Sequence, residues 1–274
     1  MKKSIGEIER YANYLSETEL SESTKEIYVR QAKVFMDFLE ERPITKKETI
    51  AYKKYLIAKE YACATINLYI AAANNYLSYA GHESCSIRTE KLQKRHYPEN
   101  IMDKEDYRKM LDYARESGRT KYYYMMRTLA LTGIRVSELS DCTVESLAKG
   151  KFETRNKRKR RIVYLPDKLV RELREYCAVQ GLESGVIFRG YAGKAIQRTS
   201  VYRMLVHLAD MAGISKEKAH PHSFRHLFAI TYMEQHSNLF ELADILGHSS
   251  LETTRIYAET TDEMKRKKLD KLCL

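Results

Sequence analysis

Apolar and polar residues alternate with the period of amphipathic helices through the N-terminal part of the chain. Apolar stripes at helical spacing cover residues 5–15 and 65–79. Two further stripes follow capping-box patterns, Ser-x-x-Glu over residues 23–26, with the serine as N-cap, and Thr-x-x-Glu over residues 45–48. We therefore predict an N-terminal domain of four helices over residues 1–86.

The pattern changes after this domain. Residues 87–102 show no helical stripe and carry several basic side chains. They are interpreted either as a basic interdomain linker that lies against a phosphate backbone or as a solvated loop. Helical stripes resume over residues 103–274, apart from β-forming residues around a polar tip at 151–165 and an apolar run at 186–188. The predicted fold class is mainly α: the four-helix domain, then a mostly helical α+β domain with a small three-stranded sheet.

The composition narrows the class of partner. The 274 residues include 48 Lys and Arg against 37 Asp and Glu, a formal net charge of +11. This surplus favours a polyanion, nucleic acid before an acidic membrane surface. No apolar run reaches the length of about 18 residues that a membrane span needs, and early acidic residues are not typical of a signal peptide. Five scattered cysteines without a C-x-x-C pair predict reduced thiols, no zinc site and a cytoplasmic location.

The first candidate for chemistry is the segment Leu-Thr-Gly-Ile-Arg-Val-Ser-Glu-Leu at 131–139. Gly133 can end one helix and place Arg135 near the start of the next, where an arginine beside free backbone N–H groups suits an anion. The alternative is a surface arginine that pairs with Glu138 three residues later. Both interpretations stay open on this segment alone.

The second candidate is the segment that contains His222 and Arg225. Pro221 can occupy the first turn of a helix, and the two side chains three residues apart then leave the same face. An imidazole and a guanidinium together could bind a phosphate and move a proton. The alternative is a metal site, which is disfavoured because an arginine is a poor neighbour for a cation and no acidic or cysteine ligand lies nearby.

The third candidate combines His248 and Tyr257. Gly247 is expected to end a helix, and a capping-box pattern at 249–252 to begin another, so His248 lies in a tight turn. Tyr257 is expected about two turns into the second helix. Its alternative is plain packing, because the chain has 21 tyrosines.

The fourth candidate is the run Arg-Asn-Lys-Arg-Lys-Arg-Arg at 155–161, at the tip of the predicted hairpin. Such a run is interpreted either as a solvated charged loop or as a segment that inserts against a DNA backbone.

Together, these features follow one another in an order that resembles the tyrosine recombinase (phage integrase) family, including its Xer-type and transposon-encoded members. The matching strings are Thr-Gly-Ile-Arg-Val-Ser-Glu-Leu (132–139), Pro-His-Ser-Phe-Arg-His (221–226) and Leu-Gly-His-Ser-Ser-Leu-Glu-Thr-Thr-Arg-Ile-Tyr (246–257). The resemblance covers nearly the whole chain: residues 1–86 resemble the family's core-binding, SAM-like domain, and residues 103–274 its catalytic domain.

The resemblance implies a role for each matching side chain. Tyr257 is the expected nucleophile, which attacks a DNA phosphate, forms a 3′-phosphotyrosine bond and frees a 5′-hydroxyl. A free tyrosine has a pKa of about 10, so proton removal needs help, and the family pattern gives that task to His222. Arg135 and Arg225 are expected to stabilise charge on the phosphate, and His248 to add a hydrogen bond.

The general acid of the family is a hairpin lysine that protonates the leaving 5′-oxygen. A strict count back from Arg161 falls on Asn156, a hairpin one residue shorter selects Lys157, and Lys159 is the alternative. We predict Lys157. Glu138 matches an acidic family position and is expected to orient neighbouring groups. No metal and no nucleotide cofactor is implied, and the chain has neither a Walker-type glycine loop nor a carboxylate cluster for two metals.

The expected partner is double-stranded DNA with short inverted-repeat core sites, because the chain begins close to its first predicted helix and leaves no room for a domain that binds arm-type sites. The resemblance further implies a homotetramer on DNA, a monomer or weak oligomer when free, docking of residues 260–272 on a neighbouring protomer, and in some cases an accessory directionality factor. The expected location is the cytoplasm, at the nucleoid, with no membrane partner. Two alternatives remain: a type IB topoisomerase-like enzyme that relaxes DNA, and a catalytically silent DNA-binding regulator.

Overall fold

The computed structural model describes residues 2–91, 100–156, 159–248, 251–257 and 270, without the side chains of residues 2–5, 155, 156, 159 and 252. The chain divides into two compact units, Met1–Lys94 and Arg95–Leu274. Most of the predicted linker, residues 92–99, lies outside the described residues, as do Lys157 and nearly all of the segment 260–272.

The N-terminal unit is helical, as predicted. Its helices are α1 Lys2–Ser16, α2 Glu22–Leu39, α3 Lys46–Ala58 and α4 Cys63–Tyr79, followed by a short 3-10 helix at Glu83–Cys85. Their apolar faces enclose one core, whose most buried members include Tyr11, Leu15, Phe35, Tyr52, Leu56, Ile70 and Leu77.

Local capping chemistry sets where these helices begin. Thr45 caps α3 as predicted, since its side chain accepts a hydrogen bond from the backbone N–H of Glu48 at 3.3 Å. The predicted cap of α2 was wrong: Ser21, not Ser23, has the extended backbone of an N-cap and accepts from Thr24 N–H at 3.3 Å. Ser23 instead lies within the first turn of α2.

Residues 87–90 pack against α4. The amide of Asn74 bonds both the N–H and the carbonyl of Ile87, each at 2.8 Å, and Asn67 bonds Glu90 in the same way at 2.7 and 2.9 Å. Ile87 is buried. The two asparagines therefore supply the hydrogen bonds that a strand partner would otherwise give this extended segment.

The second unit is also mostly helical. Its elements in chain order are α5 Lys104–Glu116, α6 Thr120–Thr132, α7 Val144–Lys149, β1 Lys151–Asn156, β2 Lys159–Tyr164, α8 Asp167–Val179, α9 Arg198–Met211, α10 Pro221–His236, α11 Leu239–Leu246 and α12 Leu251–Arg255, with 3-10 helices at Val136–Asp141, Tyr191–Gly193 and Lys216–Lys218. Helix α10 packs against α6. The core around them includes Met125, Leu129, Ile134, Leu205, Leu208 and Phe224.

The sheet of the described residues has two strands, so the prediction of three was wrong. β1 and β2 pair antiparallel, with Phe152 opposite Val163 and Thr154 opposite Arg161. The third predicted strand, at 186–188, instead forms an isolated bridge between Val186 and Thr143, ahead of α7. Ile187 and Phe188 are buried in the core, and a short apolar run of this kind is compatible with a strand or with another buried segment.

Candidate active site

Helix α10 carries the most deeply placed cation of the site. Pro221 is at its first position, as predicted, and Arg225 follows one turn later with only 4% of its surface exposed. Arg225 donates from Nη1 to the carbonyl of Gly133 at 2.7 Å and from Nη2 to the carbonyl of Leu246 at 2.6 Å. These carbonyls stand at the C-terminal ends of α6 and α11, so one side chain connects three helices.

Gly133 makes the turn that leads to Arg135. It ends α6 with a left-handed backbone, φ +61°. A Cβ at this position would lie 2.6 Å from Cδ1 of Phe228 and 2.9 Å from Cδ2 of Leu246, so no larger residue fits without displacing them. The chain then enters the 3-10 helix at Val136–Asp141, with Arg135 as its N-cap residue.

Arg135 is paired with Glu138 and also borders the site. Its Nη1 lies 3.1 Å from Oε1 of Glu138, and its backbone N–H donates to Oε2 at 2.8 Å. The side chain nevertheless keeps 24% of its surface exposed. The predicted pair between Arg135 and Glu138 is therefore present. The pair orients the Arg135 guanidinium, whose remaining N–H groups can still donate to a ligand.

Glu138 lies beneath the site, 3% exposed. Oε2 also forms an ion pair with Nη2 of Arg161 at 2.7 Å. Burial alone would raise the pKa of this carboxyl, but Arg161, Arg135 and the Arg135 backbone N–H outweigh burial and lower the pKa below its usual value. The carboxylate is ionised and holds both arginines in place.

Arg161 is one of the site residues to which the sequence analysis gave no role. The sequence places it in a charged run at the hairpin tip, interpreted either as a solvated loop or as a segment that inserts against a DNA backbone, whereas its side chain is only 12% exposed and points inward. Besides Glu138, it donates to the carbonyl of Ile245 at the end of α11. The period-two alternation of a strand could have revealed it: Val163 faces the core, while Ile162 is exposed on the other face.

His248 follows the end of α11 in a tight turn, as predicted. Gly247 has φ +64°, and a Cβ there would lie 2.4 Å from Cδ of Arg161. Nδ1 of His248 is hydrogen-bonded to Oγ1 of Thr254 at 2.7 Å. Burial, then the charges of Arg225 and neighbouring arginines, lowers the pKa of His248 to about 4, so this imidazole is neutral.

Tyr257 lies just beyond the end of α12, and not two turns into a longer helix. Its ring is 7% exposed and packs against Ala229, Leu242 and Leu246. Its hydroxyl lies 2.7 Å from Nδ1 of His226. Burial raises the pKa of the phenol to about 12, although Arg225 opposes this. The ring of Tyr257 therefore packs in the core while its hydroxyl keeps a polar partner.

His222 opens into a cavity of about 520 Å³. Arg135 lines the same cavity, together with four residues of α9: Arg198, Thr199, Tyr202 and Arg203. Burial, followed by Arg225 and further cations, lowers the pKa of His222. Such a basic, partly apolar cavity suits a phosphate group next to a sugar or base. The α9 side chains were not singled out from the sequence.

Six of the sequence-predicted site residues thus lie in one neighbourhood of the second unit: Arg135, Glu138, His222, Arg225, His248 and Tyr257. Lys157 lies outside the described residues, and for Lys159, the first residue of β2, the side chain does as well. Across the described part of the chain, no group of three or more His, Cys, Asp or Glu could hold a metal ion. Nor does any described helix have the length and apolar character to cross a membrane.

Comparisons with known proteins identify the family of the chain. Residues 100–264 match the phage integrase family, and residues 8–84 match the phage integrase N-terminal SAM-like domain. A tyrosine recombinase of Pseudothermotoga lettingae is 29% identical over 97% of this chain and 97% of its own.

Two solved structures share the fold. XerH recombinase bound to its difH substrate, in a pre-cleavage complex, has a TM-score of 0.70 at 20% identity and covers 90% of this chain and 79% of its own. A lambda integrase tetramer bound to a Holliday junction has a TM-score of 0.73 at 19% identity and covers 94% of this chain and 78% of its own.

Proposed function

The chain belongs to the phage integrase family of tyrosine site-specific recombinases, and from this premise we propose that it cleaves and rejoins duplex DNA through a covalent bond between Tyr257 and a 3′-phosphate. The single observation that carries the proposal is the position of a buried tyrosine hydroxyl among the cations and imidazoles of α10 and the turn after α11.

Phosphate binding falls to the two arginines. Each terminal nitrogen of Arg225 donates one N–H to a carbonyl, that of Gly133 or that of Leu246. Its other N–H groups are left to bind the non-bridging oxygens of the phosphate. Arg135 is held from behind by Glu138 and has donors to spare on its exposed side. Because both guanidinium groups are positioned before DNA binds, they stabilise the extra charge of a pentacoordinate transition state without having to reorganise.

The reaction exchanges one phosphodiester for another. The O–H bond of Tyr257 breaks, its oxygen bonds to phosphorus, and the bond from phosphorus to the 5′-oxygen breaks. The leaving oxygen takes a proton from the hairpin lysine, for which we propose Lys157, with Lys159 as the alternative. A base must accept the tyrosine proton, because the pKa of the buried phenol is about 12, and the family resemblance points to His222. His248 adds a hydrogen bond to the phosphate.

We propose paired inverted-repeat core sites as the substrate and a homotetramer as the active assembly. In support, a lambda integrase of the same fold forms a tetramer on a Holliday junction, and XerH binds its difH substrate. The net charge of +11 fits a partner whose backbone supplies most of the affinity. Docking of residues 260–272 on a neighbouring protomer, a weakly associated free form, an accessory directionality factor and a location at the nucleoid belong to this proposal.

The test is covalent trapping. Nicked suicide duplexes from the DNA that flanks the gene are incubated with the wild type and with Tyr257→Phe. We expect a protein–DNA adduct from the wild type and none from the variant, which should still bind the duplex. An equal adduct from the variant would refute the assignment of Tyr257. Tight binding without any adduct would indicate the regulator, and relaxation of any supercoiled plasmid without a defined site would indicate the topoisomerase-like enzyme.

A further inference from the structure

The hydrogen-bond partner of the Tyr257 hydroxyl is His226, and not the histidine to which the family resemblance points. Oη of Tyr257 lies 2.7 Å from Nδ1 of His226, and the two rings are 5.4 Å apart between centroids at an angle of 54°. His222 is one turn earlier on α10 and lines the cavity beside Arg135. One histidine therefore contacts the nucleophile, and the other faces the space where a phosphate fits.

Both members of the Tyr257–His226 pair are uncharged at neutral pH. Burial raises the pKa of the phenol to about 12. Burial first, then neighbouring imidazoles and Arg225, lowers the pKa of the imidazole to about 4. With the imidazole proton on Nε2, the hydroxyl donates to a free lone pair on Nδ1, which is the arrangement that a proton transfer requires.

We propose that His226 accepts the proton of Tyr257 as the phenol attacks DNA, an assignment that rests on the proposed function. The proton moves from Oη to Nδ1 and leaves an imidazolium, while the phenol oxygen forms its bond to phosphorus. The bond to the 5′-oxygen breaks, and that oxygen takes its proton from the hairpin lysine. On religation each proton returns along the same path.

The charges around His226 connect proton transfer to DNA binding. The titratable groups that influence it or respond to it are His220, His222, Arg225, His248 and Tyr257. In the absence of DNA, burial of the ring and the positive charge of Arg225 oppose a protonated His226. A bound phosphate brings a negative charge that offsets this repulsion, so the imidazole becomes a stronger base when the substrate is in place. The nucleophile is therefore activated only beside its target.

The experiment compares His226→Asn with His222→Asn as the matched variant. Asparagine at 226 keeps a hydrogen-bond acceptor near the position of Nδ1 but cannot take up a proton. Single-turnover cleavage of the nicked suicide duplex is measured from about pH 6.5 to 9.5. We expect His226→Asn to slow cleavage by about 10²–10⁴-fold near neutral pH. The rate defect of this variant should shrink as the pH rises, because hydroxide then deprotonates the phenol of Tyr257.

His222→Asn should reduce the cleavage rate by a similar factor at every pH, because His222 acts on the phosphate and not on the tyrosine proton. The proposal is overturned if His226→Asn cleaves at the wild-type rate or if its rate defect does not change with pH. It is also overturned if His222→Asn is the variant whose rate defect shrinks at high pH. Circular dichroism and duplex binding check that both variants fold. A wild type that forms no adduct, equal to Tyr257→Phe, refutes the proposed function instead.

A second measurement needs no DNA. Nitrogen NMR of ¹⁵N-histidine-labelled protein distinguishes a ring nitrogen that carries a proton from one that accepts a hydrogen bond. We expect Nδ1 of His226 to be unprotonated in the wild type and its signal to move in Tyr257→Phe. A proton on Nδ1 overturns the proposal, whatever the DNA target is, because that nitrogen could not accept another.

Discussion

Arg161 and Glu138 form a buried ion pair, with Nη2 of the arginine 2.7 Å from Oε2 of the carboxylate. The two residues come from the hairpin and from the turn after α6, and Glu138 in turn holds Arg135 at the edge of the cavity. A largely buried cation, Arg161, therefore helps to position the more exposed Arg135 through a shared carboxylate. Arg161 also reaches the carbonyl of Ile245, so it connects the hairpin to the helix that precedes His248.

Replacing Arg161 with methionine should destabilise the fold. Methionine keeps most of the aliphatic length, but Glu138 loses one of its two arginine partners and stays a buried charge. The free energy of unfolding should fall by about 3–5 kcal/mol. Urea denaturation measures the loss. The control is Arg160→Ala on the opposite face of β2, where the side chain is 62% exposed. It should change the free energy of unfolding by no more than about 0.5 kcal/mol. Equal effects would contradict the role of Arg161.

Gly247→Ala should disturb the site more than a matched glycine substitution. Both Gly247 and Gly118 have a left-handed backbone, with φ +64° and +67°. An alanine costs about 1–2 kcal/mol in that region at either position. Only at Gly247 does the new Cβ collide with Arg161, since Gly118 has open space around it. We expect Gly247→Ala to lose stability beyond this cost and to cleave DNA slowly, whereas Gly118→Ala keeps its cleavage rate.

The two site arginines should respond differently to lysine. Arg225→Lys leaves the carbonyls of Gly133 and Leu246 short of a donor, and an unsatisfied buried acceptor costs about 1–3 kcal/mol. Arg135→Lys loses the guanidinium fork but little that holds the fold together. Cleavage should fall in both variants, and the urea midpoint only in Arg225→Lys. A stable Arg225→Lys protein would show that the carbonyl contacts contribute little.

The unfolding free energy should decrease as the pH falls below about 6.5. Burial and the nearby arginines lower the pKa of His248 to about 4, against about 6.5 for a histidine in an unfolded chain. The unfolded state therefore binds the proton first, and stability is lost between these two values. Urea midpoints near pH 7 and pH 5 measure this dependence. His248→Gln should make this dependence shallower without abolishing it, because burial also lowers the pKa of His226 to about 4, while His207→Gln, at an exposed position of α9, should leave the dependence as in the wild type.

Arg203 should contribute to DNA binding through a phosphate. It lines the cavity next to Arg135 and is exposed. Arg203→Ala should weaken binding to any duplex and lower the salt slope of log Kd by about one. Arg171→Ala serves as the control, because Arg171 is exposed on α8 away from the cavity lining. If both variants have the same affinity and salt slope as the wild type, the cavity does not contact the DNA backbone.

Local spacing was enough to predict the helical parts of the fold and the turns of the site. Gly133 and Gly247 end helices because only glycine adopts a left-handed backbone without cost, and Pro221 begins one because its fixed φ suits the first turn. These preferences act within a few residues. They show in the sequence before any packing is known.

Hairpin residues required more than spacing. The run at 155–161 was judged by its charge, yet the pleat turns Arg161 inward and Arg160 outward. The third predicted strand failed for a related reason: an apolar run at 186–188 is equally compatible with a strand and with an irregular segment buried against helices. The charge and hydrophobicity of residues along a chain do not determine which face of a strand or segment becomes buried.

The sequence by itself determined the family, the helical fold class and the residue types of the site, because these depend on motifs and on local backbone preferences. Only the tertiary structure decided which histidine touches Tyr257 and that Arg161 joins Arg135 at Glu138. His226 and Tyr257 are 31 positions apart, and Arg161 and Glu138 are 23 apart. Contacts over such separations form only when whole helices and the hairpin pack, and a shift of one residue along α10 would exchange one histidine for another side chain.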